Sequence, residues 1–179
     1  MYGSIRRCCR NLPINNPMSA EIREIGADEF DLVWPIFHAV VAGGDTYSYE
    51  RDTTFEQARA MWTSAPARCF VAMNAGKPSG CYMLKPNHAG PGDHVANAGY
   101  MVASEARGHG LARRMCEHSL DVARAAGFLA MQFNSVVSSN EVAVALWQKL
   151  GFSIVGTVPQ AFRHNRLGLV DIYIMHRFL

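Results

Sequence analysis

"SEARGHGLARRM" (Ser104–Met115) decides how the rest of the chain reads. It follows an alternating apolar run that ends at Val102. It leads into "LARRMCEHSLDVARAAG", where apolar residues recur at helical spacing. A strand, a glycine-rich turn and a helix, in that order, form a geometry that binds anions. The first helical N–H groups have no intrahelical partner, and the helix dipole adds about half a positive charge beside them. Gly108 and Gly110 lack a Cβ, so both can take positive φ and let a phosphate approach the backbone. Arg107, Arg113 and Arg114 add positive charge nearby. Two familiar phosphate loops do not fit. GxGxxG counted from Gly108 needs Gly or Ala at position 113, which is Arg113, and no GK[ST] occurs. On spacing alone, a plain strand-to-helix turn remains an equal alternative.

Outward from this turn, the chain alternates between the two periodicities. "EIREI" (21–25) is strand-like, and "ADEFDLVWPIFHAVV" has helical spacing, with Asp28 expected as N-cap and Gly43-Gly44 as the stop. "DTYSYERD" is a loop carrying two tyrosines, and "TTFEQARAMWTS" is expected to be a second short helix, capped by Thr53 and Glu56. "RCFVAMN" and "SGCYMLKP" flank "AGKP" as a hairpin, and "HVANAGYMV" (94–102) is the strand before the turn. In the helix after the turn, Leu111, Met115, Val122 and Ala126 form one stripe beside Ala112, Cys116, Leu120 and Ala123. "FLAMQFNSVV" is a strand, and "SSNEVAVALWQKLGF" is a helix with Ala143, Leu146, Trp147 and Leu150 on one face. "FSIVGTVPQ" and "VDIYIMHRF" close the chain as strands. The order β-α-α-β-β-β-α-β-α-β-β specifies one mixed α/β domain.

Composition agrees and excludes other classes. The chain has 179 residues and is 49% hydrophobic, enough for one domain with a substantial core. No apolar run approaches the roughly 18 residues of a membrane span. Residues 1–17 hold Arg6, Arg7 and Arg10 without an acid, whereas residues 18–179 hold 14 basic and 15 acidic residues. The folded part is therefore not basic, which argues against a nucleic-acid surface. Residues 1–17 are expected to be a disordered leader or a start-site extension, with a single domain over 18–179. The five cysteines (Cys8, Cys9, Cys69, Cys81, Cys116) show no CxxC, and the seven histidines show no HExxH. The expectation is a reduced, cytoplasmic protein without a metal.

Two stretches together carry a family resemblance. Arg107-x-x-Gly110-x-Ala112, after the strand ending at Val102, resembles the acetyl-CoA pyrophosphate loop of the Gcn5-related N-acetyltransferases (GNAT). Asn140-x-x-Ala143-x-x-Leu146-Trp147-x-Lys149-x-Gly151-Phe152 resembles that family's second motif, an Asn-capped helix. The resemblance implies a mixed, mostly antiparallel central sheet flanked by helices, with acetyl-CoA as cosubstrate. It implies CoA contacts from Met101, Val102, Arg107, Gly108, His109, Gly110, Leu111, Ala112, Arg113, Asn140 and Trp147. It also implies a backbone N–H at Met101 or Val102 that polarises the thioester carbonyl, an acceptor loop containing Tyr47, and a homodimer as a common assembly. The family often has Tyr at Trp147, credited with protonating the leaving thiolate. Indole only donates a hydrogen bond, so Trp147 is expected to be core or pocket wall.

"LKPN" (84–87), "HVANAGYMV" and "MQFNSVVSSN" (131–140) further resemble the fungal acetyltransferases of proline analogues such as azetidine-2-carboxylate, and their bacterial relatives. That resemblance implies that Asn97 and Asn134 orient the substrate and take part in catalysis, while Asn140 contacts CoA. Their amides suit a carboxylate or an amine but cannot serve as general bases. Candidate bases are His94, Tyr100, Asp45, Glu50 or water. The expected activity is direct acetyl transfer to a small-molecule amine. Acetylation of a protein N-terminus or lysine, and CoA sensing without catalysis, remain alternatives.

Overall fold

The structure of the protein, a computed structural model, describes residues 20–179. The expected leader, the domain start near Met18, Cys8 and Cys9 lie outside the described residues. Eleven principal elements follow the order read from the sequence: β1 (Glu21–Ile25), α1 (Trp34–Gly43), α2 (Phe55–Thr63), β2 (Arg68–Asn74), β3 (Lys77–Pro86), β4 (Val95–Val102), α3 (Leu111–Ala125), β5 (Ala130–Val137), α4 (Glu141–Lys149), β6 (Ser153–His164) and β7 (Gly168–Phe178). The strands form one sheet in the order β1-β2-β3-β4-β5-β7-β6. Every neighbouring pair is antiparallel except β4–β5. A parallel pair needs a long crossover, and α3 supplies it.

Three local expectations are corrected. Asp28 caps no helix: Ala27–Leu32 is a 3-10 segment entered at Gly26, and α1 begins only at Trp34, with Pro35 in its first turn. Proline is tolerated there because its missing N–H would have no intrahelical partner. The capping box lies one residue later than expected. Thr54 accepts from the Gln57 N–H while Gln57 accepts from the Thr54 N–H, whereas the Thr53 hydroxyl donates to the Glu50 carbonyl. On α3, Ala126 is exposed and the buried stripe includes Ser119 instead. Ser119 is tolerated because its hydroxyl donates to the Cys116 carbonyl and meets the Tyr100 hydroxyl.

Strand alternation divides the core in two. On one face Ala96, Ala98, Met131 and Phe133 pack under α3 and α4, against Leu111, Met115, Leu120 and Trp147. On the other, Val71, Cys81, Met83 and Met101 pack under α1 and α2, against Phe37, Val41 and Trp62. The parallel β4–β5 junction therefore has one helix pair above it and another below.

Trp62 is fully buried, meets Phe37 edge-on at 5.4 Å and donates its indole N–H to the Tyr49 hydroxyl at 3.2 Å. Trp62→Ala is expected to lower unfolding stability by about 3–5 kcal/mol, read from the urea midpoint at unchanged slope.

Candidate active site

β4 and β5 pair only through Val95–Ala130, Ala96–Met131 and Asn97–Gln132. Beyond that point β5 continues along β7, with a bulge between Phe133 and Val136, and the two strands part. Asn97 sits at the apex, where its side-chain amide donates to the Gln132 carbonyl at 2.9 Å. The Val95 carbonyl and the Ala103 N–H both bond on the β3 side. Odd-numbered residues of β4 therefore face β3, and the backbone groups of Ala98, Tyr100 and Val102 face the gap. This separates the two candidate donors. Met101 has its N–H in the β3 ladder opposite Cys81 and its side chain fully buried, so the expectation of a backbone donor falls to Val102 alone.

The turn after β4 has the anion-binding form. Gly108 and Gly110 both have positive φ, 81° and 75°, and Gly110 is the N-cap of α3. The Arg114 N–H makes a bond to the Gly110 carbonyl, which leaves the N–H groups of Leu111, Ala112 and Arg113 at the open helix end. A Cβ at either glycine would meet no protein atom within 4 Å, so space is open beside the loop. The cradle fits a pyrophosphate: backbone donors, a helix dipole and exposed Arg107 and His109. Leu111 contributes only backbone, since its side chain is buried in the core. Arg113 pairs with Glu117 at 3.2 Å. Arg114 donates to the Ala20 carbonyl at 2.8 Å, so it ties α3 to the start of β1. Across the gap Asn140 caps α4 by accepting from the Ala143 N–H, and its amide N–H groups have no acceptor among the described residues.

On the α1–α2 face the gap is bordered by neutral polar groups. Tyr47 donates its hydroxyl to the Tyr100 carbonyl at 2.8 Å, occupying one of the backbone groups that face the gap. Gly99 makes room for it: a Cβ there would stand 3.2 Å from the Tyr47 hydroxyl. Asn134 accepts from the Gln132 side chain at 2.8 Å and donates to Asn87 at 2.6 Å. Asn97, Asn134 and Tyr47 thus come to one region. Gln132 and Asn87 join them and carry no expectation from sequence, although both lie in the stretches that bear the narrower resemblance. Sequence spacing alone cannot pair Asn87 with a residue 47 positions later.

Trp147 forms the wall on the α3–α4 face. It is 8% exposed and bridges the two parting strands, with ring centroids 5.1 Å from Tyr100 and 5.2 Å from Phe133. Tyr100 is set aside as a base: burial holds its phenol well above the usual range, and its hydroxyl lies 2.6 Å from Ser119. The described cysteines are buried and free. Burial pushes the Cys116 thiol up to about 11 and the Cys69 thiol to about 12, so neither is a ready nucleophile. Among the described residues no helix is long and apolar enough to cross a membrane, and no group of three or more His, Cys, Asp or Glu could hold a metal ion.

The model of the acetyltransferase (GNAT) family matches residues 28–152. N-acetyltransferase aca1 of Schizosaccharomyces pombe is 33% identical over 96 residues, 53% of this chain and 46% of that protein. The match therefore spans less than half the length of that curated relative. A GCN5-related N-acetyltransferase from Kribbella flavida is 44% identical and superposes with a TM-score of 0.86 over 92% of this chain and 100% of that one. A GNAT superfamily phosphinothricin acetyltransferase from Sinorhizobium meliloti, solved in complex with acetyl-CoA, shares the fold at 20% identity. Its TM-score is 0.80 over 90% of this chain and 89% of that one.

Two outcomes are expected from this geometry. Gly110→Val places a β-branched residue at φ 75° and should weaken acetyl-CoA binding at least about tenfold in calorimetry. Peptide-resolved alkylation of the native protein at pH 8 should leave Cys69, Cys81 and Cys116 unlabelled until denaturant is added.

Proposed function

The chain belongs to the acetyltransferase (GNAT) family, and within its acetyl-CoA-dependent chemistry we propose that the acceptor is the amine of a small molecule, an amino acid or proline analogue being the class that fits best. The observation that carries this reading is the size of the opening beside Tyr47. Gly44, Tyr47, Tyr49, Arg51, Phe162 and Arg163 line a cleft of about 210 Å³. Sites for drug-sized ligands run from about 300 to 1,000 Å³. A cleft of this volume has room for a compact amine.

Acetyl-CoA supplies an acetyl group activated as a thioester. The protein's part is to hold and orient. Backbone N–H groups of Leu111, Ala112 and Arg113 and the exposed Arg107 grip the pyrophosphate, with Gly108, His109 and Gly110 shaping the loop. The Val102 N–H faces the gap and stabilises negative charge developing on the carbonyl oxygen. Asn97 ties the two strands together at their last paired position, acting as a positioning residue through Gln132. One amide hydrogen of Asn134 has no acceptor among the described residues and is offered to the acceptor amine's molecule. Orientation of this kind contributes on the order of 7–11 kcal/mol to a bimolecular reaction. The transfer is direct, since the described thiols are buried and held neutral. Water at the open cleft takes the proton of the attacking amine. Free, buried thiols and the absence of CxxC spacing support a reducing cytoplasm as its location.

A panel of amino acids, proline analogues, antibiotic amines and short peptides, assayed by CoA thiol release at pH 8, tests the acceptor class. A small amine should exceed every peptide in kcat/KM, and a peptide that wins defeats the reading. Asn134→Ala should cut acceptor kcat/KM by about tenfold or more while acetyl-CoA affinity stays within about twofold. An equal loss of both would make Asn134 structural.

A further inference from the structure

The cleft beside Tyr47 has an unusual charge balance. Its lining includes Arg51 and Arg163 and no acidic residue. Neither guanidinium forms an ion pair or a side-chain hydrogen bond among the described residues, although Arg23, Arg59, Arg68, Arg113 and Arg124 all pair with carboxylates. Arg51 is also placed by packing. Its guanidinium lies over Gly44, where a Cβ would come within 2.5 Å of Nε. The β6–β7 turn is tied to the same corner, because Asn165 donates its backbone N–H to the Gly44 carbonyl at 3.2 Å. The two cationic walls therefore belong to segments anchored to each other.

A third donor completes the set. Tyr49 accepts the Trp62 indole N–H, and its own hydroxyl hydrogen has no acceptor among the described residues. The Tyr49 ring stacks on Tyr47 with centroids 5.6 Å apart and planes within 5°. Tyr47 in turn reaches the β4 backbone at the gap. The cleft thus runs from two exposed guanidiniums without a carboxylate partner among the described residues to the place where β4 exposes its backbone.

We propose that Arg51, Tyr49 and Arg163 form the subsite for an anionic group of the acceptor, a carboxylate carried by the same molecule as the reacting amine. This rests on the small-molecule reading above and adds the residues that select the substrate. A guanidinium fork matches a carboxylate's two oxygens, and a neutral phenol adds a further donor. Holding the carboxylate at this end leaves the amine to reach toward the gap beside Tyr47 and Val102. Cationic amines without an acid group are disfavoured by the same two charges.

The test compares each accepted amino acid with its methyl ester and its decarboxylated amine. Rates are referred to the concentration of neutral amine, because esterification changes the amine's own pKa. The wild-type protein should prefer the acid by about tenfold or more in kcat/KM. Arg51→Gln, and Arg51→Gln with Arg163→Gln, should raise KM for the acid by about that factor and leave KM for the ester within about twofold. Arg51→Lys should recover part of the preference. Esters used as well as acids by the wild-type protein overturn the subsite and leave the small-amine reading standing. Equal losses for acid and ester in the Gln variants also overturn it. Turnover of peptides alone, with no small amine accepted, defeats the small-amine reading and the subsite with it.

Discussion

The site depends on the parting of β4 and β5 after the Asn97–Gln132 pair. A parallel pair held over three residues and then released leaves the Ala98, Tyr100 and Val102 backbone groups without a strand partner. Buried backbone groups need partners, so an edge opened inside a sheet is a binding surface by construction. The protein meets part of that need itself: Tyr47 takes the Tyr100 carbonyl. What is left along β4 suits a ligand that brings its own amide and carbonyl groups.

The two cores on either side of the sheet give the gap its two different faces. Under α3 and α4 it is walled by aromatic rings, with Trp147 lying across Tyr100 and Phe133. Under α1 and α2 it is bordered by amides and phenols from four separate segments. Rigid packing on the first face holds the glycine loop and the α3 N-terminus in register with the gap. The second face is built from the loop after α1 and the β6–β7 hairpin, anchored through Asn165. These connections are loops on a packed scaffold, where variation is tolerated without disturbing the sheet.

Much of this was legible from residue order. The strand–turn–helix grammar around Gly108 and Gly110, the Asn140 cap and the order of eleven elements all follow from local periodicity and local capping chemistry. The departures are also local. The sequence points to Thr53 as the α2 cap and the structure uses Thr54, because adjacent threonines offer the same chemistry and only the backbone decides which one is extended. Asp28 has the right chemistry for a cap, but Pro35 sets where the α-helix can begin, and the preceding turn tightens into a 3-10 segment.

What the sequence by itself determined is the glycine turn and the helix end it opens, because a loop and the helix it starts are built from consecutive residues whose geometry is set by glycine and by unpaired N–H groups. Which of Met101 and Val102 faces the gap depends on strand register, which is decided by pairing with β3. The α1–α2 side of the gap was decided only in three dimensions. Asn87 meets Asn134, Tyr47 meets Tyr100, and Arg51 shares a cleft with Arg163, contacts that span tens of residues and arise when the sheet brings distant strands together. No local period encodes such contacts, so these pairings are decided by the tertiary structure, whereas the glycine turn is decided by consecutive residues.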